Sequence, residues 1–254
     1  MESPQMQAED AVYQQLAKVY DPELDQPLTE LGFIGGVHID GRTVTVHFRL
    51  PTYWCAANFA FLMATDIRTY VAQLPWVQRV EVRLQDHCLE QEITDGVNRG
   101  QTFRMTFPDL ATDDLETLRE TFRVKAFLTR QARVLRWLLR QGWHDEALLQ
   151  LRVGELRQLP ADSEAQALVE RYITLLQERG LAPDPTAAAF TQPDGTPLER
   201  RQFRAYLQQA ERTRLSMEFN TMFCSGLLKT RYGDDQPTAD CTNQRSEEGI
   251  VWQQ

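Results

Sequence analysis

Apolar residues Val12, Leu16 and Val19 recur at helical spacing from Glu9 onward. Pro22 disfavours helical geometry in the residue ahead of it, so the pattern predicts a first helix over about 8–20. The period then changes. Phe33 to Ile39 and Thr43 to Leu50 are short runs rich in β-branched and aromatic residues, joined by Asp40-Gly41, a strong hairpin signal. In the second run Val44, Val46 and Phe48 alternate with Thr45, His47 and Arg49, which gives one buried and one wetter face and puts His47 on the wetter one. Ala56 to Leu74 reads as a helix ended by Pro75, and Val77 to Leu84 alternates as a third strand. The order is α-β-β-α-β.

The pattern becomes purely helical further on. Residues 113–141 form the longest predicted helix, with Leu115, Leu118 and Phe122 early and Leu128, Ala132, Leu135 and Leu139 later. Its apolar face drifts between the two sets, which implies two neighbours or a bend. Shorter helices follow from Leu148 and over Glu164 to Arg179, before the natural stop at Gly180. Pro183, Pro185, Pro193, Gly195 and Pro197 make 181–197 a connecting loop, and helices resume over about 198–215 and 217–229. The fold class is α+β: a small α-β-β-α-β domain with a three-stranded sheet over 8–88, a linker with a short helix over 89–112, and an all-α domain over 113–232. The segment 233–254, with Asp234, Asp235, Glu247 and Glu248 and few apolar side chains, is expected to be an acidic, flexible tail.

Composition narrows the partners. The 254 residues carry a net charge of −9, with 14 acidic against 7 basic side chains in 1–100, 17 against 19 in 101–232 and 5 against 1 in the tail. An acidic chain is a poor match for nucleic acid, whose phosphates are bound by clustered Lys and Arg. No run approaches the roughly 20 uncharged apolar residues of a membrane span, and Met1-Glu2-Ser3-Pro4-Gln5 has no signal-peptide character. Cytoplasmic localisation is the expectation. Cys55, Cys88, Cys224 and Cys241 form no CxxC pair and announce neither a closed zinc site nor a disulfide framework. Cys241 reads as incidental. Arg119, Arg123, Arg130, Arg133 and Arg140 share one side of the long helix, a solvated face first and a surface for the acidic first domain second.

Candidate chemistry gathers at Asp21-Pro22-Glu23-Leu24 and Cys55. A cysteine at the start of a helix faces the positive end of the macrodipole, which favours a metal-binding thiolate. Asp21 and Glu23 sit on a turn that could approach the same sheet end and add hard oxygen ligands to the soft sulfur, a mixture that suits iron. The alternative is a structural Asp-Pro turn and a buried cysteine acting as a small hydrophobe. His87 and Cys88 follow the third strand, and because neighbours on a strand point to opposite faces, His87 is the one favoured for a common site. Cys224 precedes Ser225-Gly226, a small-residue surround that close backbone approach or a ligand would explain.

Asp-Pro-Glu-Leu at 21–24, Leu-Gly-Phe-Ile at 31–34, Leu50-Pro51-Thr52 with Cys55 shortly after, and Leu74-Pro75-Trp76-Val77 resemble the PaaD-like and SufT-like family of metal-sulfur cluster assembly proteins. In that family proline usually follows the cysteine. Here Ala56 does, and bulky Tyr53 and Trp54 occupy the turn. Further on, Asp86-His87, Glu92-Ile93, Gly96-Val97-Asn98-Arg99-Gly100, Phe103, Phe107-Pro108 and Cys224-Ser225-Gly226-Leu227-Leu228 resemble a longer variant associated with bacterial diiron monooxygenases of the propane type. The resemblance implies an accessory factor and not an enzyme. It would bind iron or an iron-sulfur cluster transiently through Cys55, with Asp21, Glu23, His87 and Cys224 as further candidates, and its partner would be a client iron enzyme or monooxygenase subunit. A homodimer is compatible with this reading, and so is a module that clasps a client subunit without carrying metal. No Glu-x-x-His pair is present, so diiron ligation of the ferritin kind is not encoded.

Overall fold

The structure, a computed structural model, describes residues 3–110 and 115–233. The predicted tail from 234 onward and Cys241 lie outside the described residues.

Helix α1 (Pro4–Leu16) is capped by the Ser3 hydroxyl, which accepts the Met6 N–H at 3.2 Å. It ends four residues before the predicted stop, because Tyr20 and Asp21 are drawn into a short antiparallel ladder, β1 (Tyr20–Asp21) with β2 (Gln26–Pro27). This extra pair was invisible to periodicity, being two residues long on each side. Strands β3 (Ile34–Asp40) and β4 (Thr43–Arg49) form the predicted hairpin, and Gly41 supplies the left-handed φ of 57° that its tight turn needs. Helix α2 (Ala57–Val71) then crosses over to β5 (Arg79–Gln85), which pairs with β4 in parallel, a pairing that requires such a crossover. The sheet order is β3-β4-β5.

The segment expected to be a linker carries two helices, α3 (Glu90–Asn98) and α4 (Phe103–Thr106), and its Ile93, Val97, Phe103 and Phe107 are buried in the first core with Val44, Val46, Phe48, Met63 and Ile67. Asn98 ties α3 to the sheet edge, accepting from Val82 N–H and donating to Val82 C=O, each at 2.9 Å. A second core lies among α5 (Leu115–Arg140), α6 (Asp145–Gln150), α7 (Val153–Gln158), α8 (Ser163–Glu178) and α9 (Arg200–Tyr232). The drifting apolar face of α5 has the predicted cause: Leu115 packs on the first core, whereas Leu128, Ala132 and Leu135 are buried in the second. The proline-rich connection is held inward by Gln131, which donates to Tyr172 Oη and to the Thr191 carbonyl.

Two sequence expectations are corrected. The two helices expected at 198–215 and 217–229 are one, α9, and at 33 residues it exceeds α5 in length. Packing on both halves, through Phe203 and Ala210 on the second core and Leu228 on the first, outweighs the roughly 1 kcal/mol that Gly226 costs inside a helix. Nor does a close approach explain that glycine: a Cβ there would meet open space.

Two members of the arginine stripe bind the first domain. Arg130 makes a two-pronged pair with Asp25 at 2.8 and 2.7 Å, and Arg119 does the same with Asp66 at 2.7 and 3.0 Å. Asp25 and Arg130 have side-chain exposures of only 6% and 12%. Stranding one charge of such a buried pair is expected to lower stability by about 3 kcal/mol, against about 1 kcal/mol for a partly exposed pair. Chemical denaturation of Asp25→Asn, a residue that tolerates the left-handed φ of this position, should therefore show a distinctly larger loss than Asp66→Asn; equal losses would mean that burial does not set the strength of this junction.

Candidate functional site

The β1–β2 ladder pinches Asp21-Pro22-Glu23-Leu24 into a tight turn. Asp21 Oδ1 accepts the N–H groups of Glu23 and Leu24 at 2.8 and 2.9 Å, so this carboxylate builds the turn that displays Glu23. Asp21 is 7% exposed, and burial pushes its pKa up to about 6 against the opposing pull of the two N–H groups, with the Glu23 charge adding to the rise.

Beyond β4, the loop from Leu50 to Ala56 carries Cys55 to the start of α2. The Cys55 thiol is half-buried, and Thr52 Oγ1 lies 3.2 Å from its sulfur, close enough to donate to it. His87 is buried at 3% exposure, with Nδ1 accepting the Leu89 N–H at 3.1 Å and Nε2 donating to the Cys55 carbonyl at 2.7 Å. Both ring nitrogens are thus engaged, which fixes the tautomer and makes His87 a positioning residue for the Cys55 loop instead of an open nitrogen ligand. The Cys88 N–H holds the same loop through the Tyr53 carbonyl at 3.0 Å, while its own side chain is exposed. At the loop tip Trp54 is 78% exposed, edge-on to Tyr53 with ring centroids 5.5 Å apart.

The last turns of α9 close this end of the sheet. Asn220, Cys224, Leu228 and Arg231 share one helical face. Asn220 Nδ2 donates to Glu23 Oε1 at 3.3 Å, and Arg231 donates to the carbonyls of Leu50 at 3.3 Å and Asp86 at 2.5 Å. Leu228 comes so near Gly32 that a Cβ there would lie 3.4 Å from its Cδ2, and Gly32 has φ +72° in any case. The guanidinium of Arg49 stacks 4.2 Å over the Tyr232 ring. Between these anchors sits Cys224, half-buried and packed against the same core as Cys55. Burial, then the charges of Asp21, Cys55 and Glu23, push the Cys224 thiol up to about 11.

The fold therefore gathers Cys55, Cys224, Asp21 and Glu23 at one end of the sheet and uses His87 as a brace. Among the described residues no three His, Cys, Asp or Glu side chains stand close enough to share one metal ion. Thr52, Asn220 and Arg231 were not identified from the sequence. Thr52 had a local signal, three residues before Cys55, but the partners of the other two lie 145 to 197 positions away.

Residues 9–83 match the family model for an iron-sulfur cluster assembly protein. The match ends inside β5; it includes Asp21, Glu23 and Cys55 and stops short of His87 and Cys224. No curated protein matches the chain. No helix among the described residues is long and apolar enough to cross a membrane.

The raised pKa of Asp21 gives a signed pH dependence. Between the ordinary carboxylate value of 3.8 and about 6 the native state holds a proton that the unfolded chain has lost, so stability falls as pH rises through this window. An asparagine in its place would keep the turn-forming oxygen without the buried charge. Asp21→Asn should raise the melting temperature at pH 8, by an effect of at most about 3 kcal/mol, and leave it nearly unchanged at pH 4. A loss of stability at pH 8 would show that the charge is needed there.

Proposed function

We propose that this chain is an accessory maturation factor which assists iron or iron-sulfur centre assembly in a client enzyme, holding the iron species as transient cargo through Cys55. The observation that carries this reading is the position of Cys55: it lies within the matched assembly domain, on a loop braced by His87, Cys88 and Arg231, at the sheet end where Asp21 and Glu23 also lie. A soft sulfur next to hard oxygens suits iron, and a ligand set left open among the described residues suits a cargo that must leave. The cytoplasm is the compartment that would keep these thiols reduced. The segments from Asp86 to Phe107, which resemble the accessory proteins of propane-type monooxygenases, point to a diiron monooxygenase as client.

A second reading, a clasp without metal chemistry, is favoured by a different feature. Leu215, Phe219, Met222 and Phe223 form an exposed apolar stripe on the outward side of α9, and Trp54 and Phe223 directly adjoin the two cysteines in sequence. Exposed apolar surface of this extent marks contact surfaces more often than solvent-facing helix.

Iron and sulfide content and the absorbance spectrum of anaerobically purified protein separate the two readings. Wild type should carry or accept iron that Cys55→Ser does not, and the variant should fail to mature the client. If Cys55→Ser supports maturation as well as wild type, the thiol carrier is wrong; a client complex that survives chelator would then support the clasp.

A further inference from the structure

We propose that Cys224 is the second sulfur of this site: α9 brings it to Cys55, and the two thiols form a clamp for a single thiophilic cation whose remaining coordination positions are left open by the described side chains. The inference rests on the proposed function only for the identity of the cation, ferrous iron. Cys224 lies outside the matched assembly domain, so the clamp is a property of this longer chain.

The anchors of α9 bracket Cys224 on both sides. One turn before it, Asn220 is bonded to Glu23; one turn after it, Leu228 lies against Gly32; and less than a further turn on, Arg231 holds the carbonyls of Leu50 and Asp86, the two segments that border the Cys55 loop. An α-helix fixed at three points along two to three turns has little freedom to turn Cys224 away. Both thiols are half-buried against the first core, and Cys224 is within electrostatic reach of Cys55, Asp21 and Glu23. Asp21 and Glu23 add carboxylate oxygens at the same sheet end as the two sulfurs, and α9 meets them with Asn220, which donates to Glu23. Thiolates are the cation's soft ligands. Cys88 is the control: it is exposed, whereas both clamp thiols are half-buried. Because no third side chain among the described residues completes the set, the cation would keep open positions, which thiolates or carboxylates of a receiving protein could occupy during transfer. The chemistry balances as one divalent cation exchanged for two thiol protons.

Phenylarsine oxide tests the clamp without reference to iron. This trivalent arsenical condenses with two neighbouring thiols, forming two arsenic–sulfur bonds and releasing one water. Reduced full-length protein should take up one arsenical, and peptide mapping by mass spectrometry should find it bridging the Cys55 and Cys224 peptides. The adduct should be lost in Cys55→Ser and in Cys224→Ser and kept in Cys88→Ser and Cys241→Ser. No adduct in the wild type, or one bridging any other pair, overturns the proposal, and the mapping requires no variant to fold. Titration with cobalt(II) provides the metal arm: sulfur-to-cobalt charge-transfer absorbance should appear in the wild type and fall in either single variant. If the arsenical bridges the pair but anaerobic protein holds no iron, the clamp stands and the iron-carrier reading fails.

Discussion

A helix is a stiff ruler, and α9 is used as one. Thirty-three residues at about 1.5 Å each span roughly 50 Å, enough to reach from the helical core to the far end of the sheet. Its first half is held by Phe203 and Ala210 in the second core and its last turns by Leu228 on the first, so the positions of the two halves of the molecule are set by one continuous backbone. The orientation of Cys224, the brace on Glu23 and the grip of Arg231 on the Cys55 loop all depend on this helix staying unbroken through Ser225-Gly226.

Arg130 and Asp25 add a second constraint to the same junction. Their two-pronged bond is deeply buried, with Arg130 also bonded to the Arg171 carbonyl at 3.3 Å and lying 5.3 Å from the centre of the Tyr20 ring. Asp25 follows directly from the acidic turn, with φ +52°, so the residue that docks the helical half also ends the turn that presents Asp21 and Glu23. Docking and site geometry are mechanically coupled through five consecutive residues. The acidic turn consequently has a structural duty whatever chemistry it also performs, and Asp21 shows it most clearly, since its carboxylate oxygen is occupied by two backbone N–H groups.

The site combines two regions of different character. The stretch that matches the assembly family supplies a small sheet, the acidic turn and Cys55. The helical remainder supplies Cys224, Asn220 and Arg231 on one face of α9 and leaves Leu215, Phe219, Met222 and Phe223 exposed on another.

The sequence by itself determined the local elements. Alternation marked β4 and β5, β-branched and aromatic content marked β3, Asp40-Gly41 marked the hairpin, and the drifting apolar face of α5 called for two neighbours or a bend, because each of these signals is carried by residues within a few positions of one another. Asp21, Glu23 and Cys55 were legible for the same reason, as a dense local motif. Tertiary structure alone decided the rest. The two-residue ladder that shapes the acidic turn is too short to leave a period, and the packing of α3 and α4 on the first core depends on residues far away along the chain. Whether 198–229 is broken at Ser216 depends on what each half packs against, not on propensity. His87 looked like a ligand because its residue type allows it, but one nitrogen is taken locally by the Leu89 N–H and the other by the Cys55 carbonyl, 32 positions earlier, a bond that tertiary structure alone supplies. Cys224 could be singled out in the sequence but not paired: its nearness to Cys55, 169 positions earlier, exists only because a helix buried at both ends has nowhere else to lie.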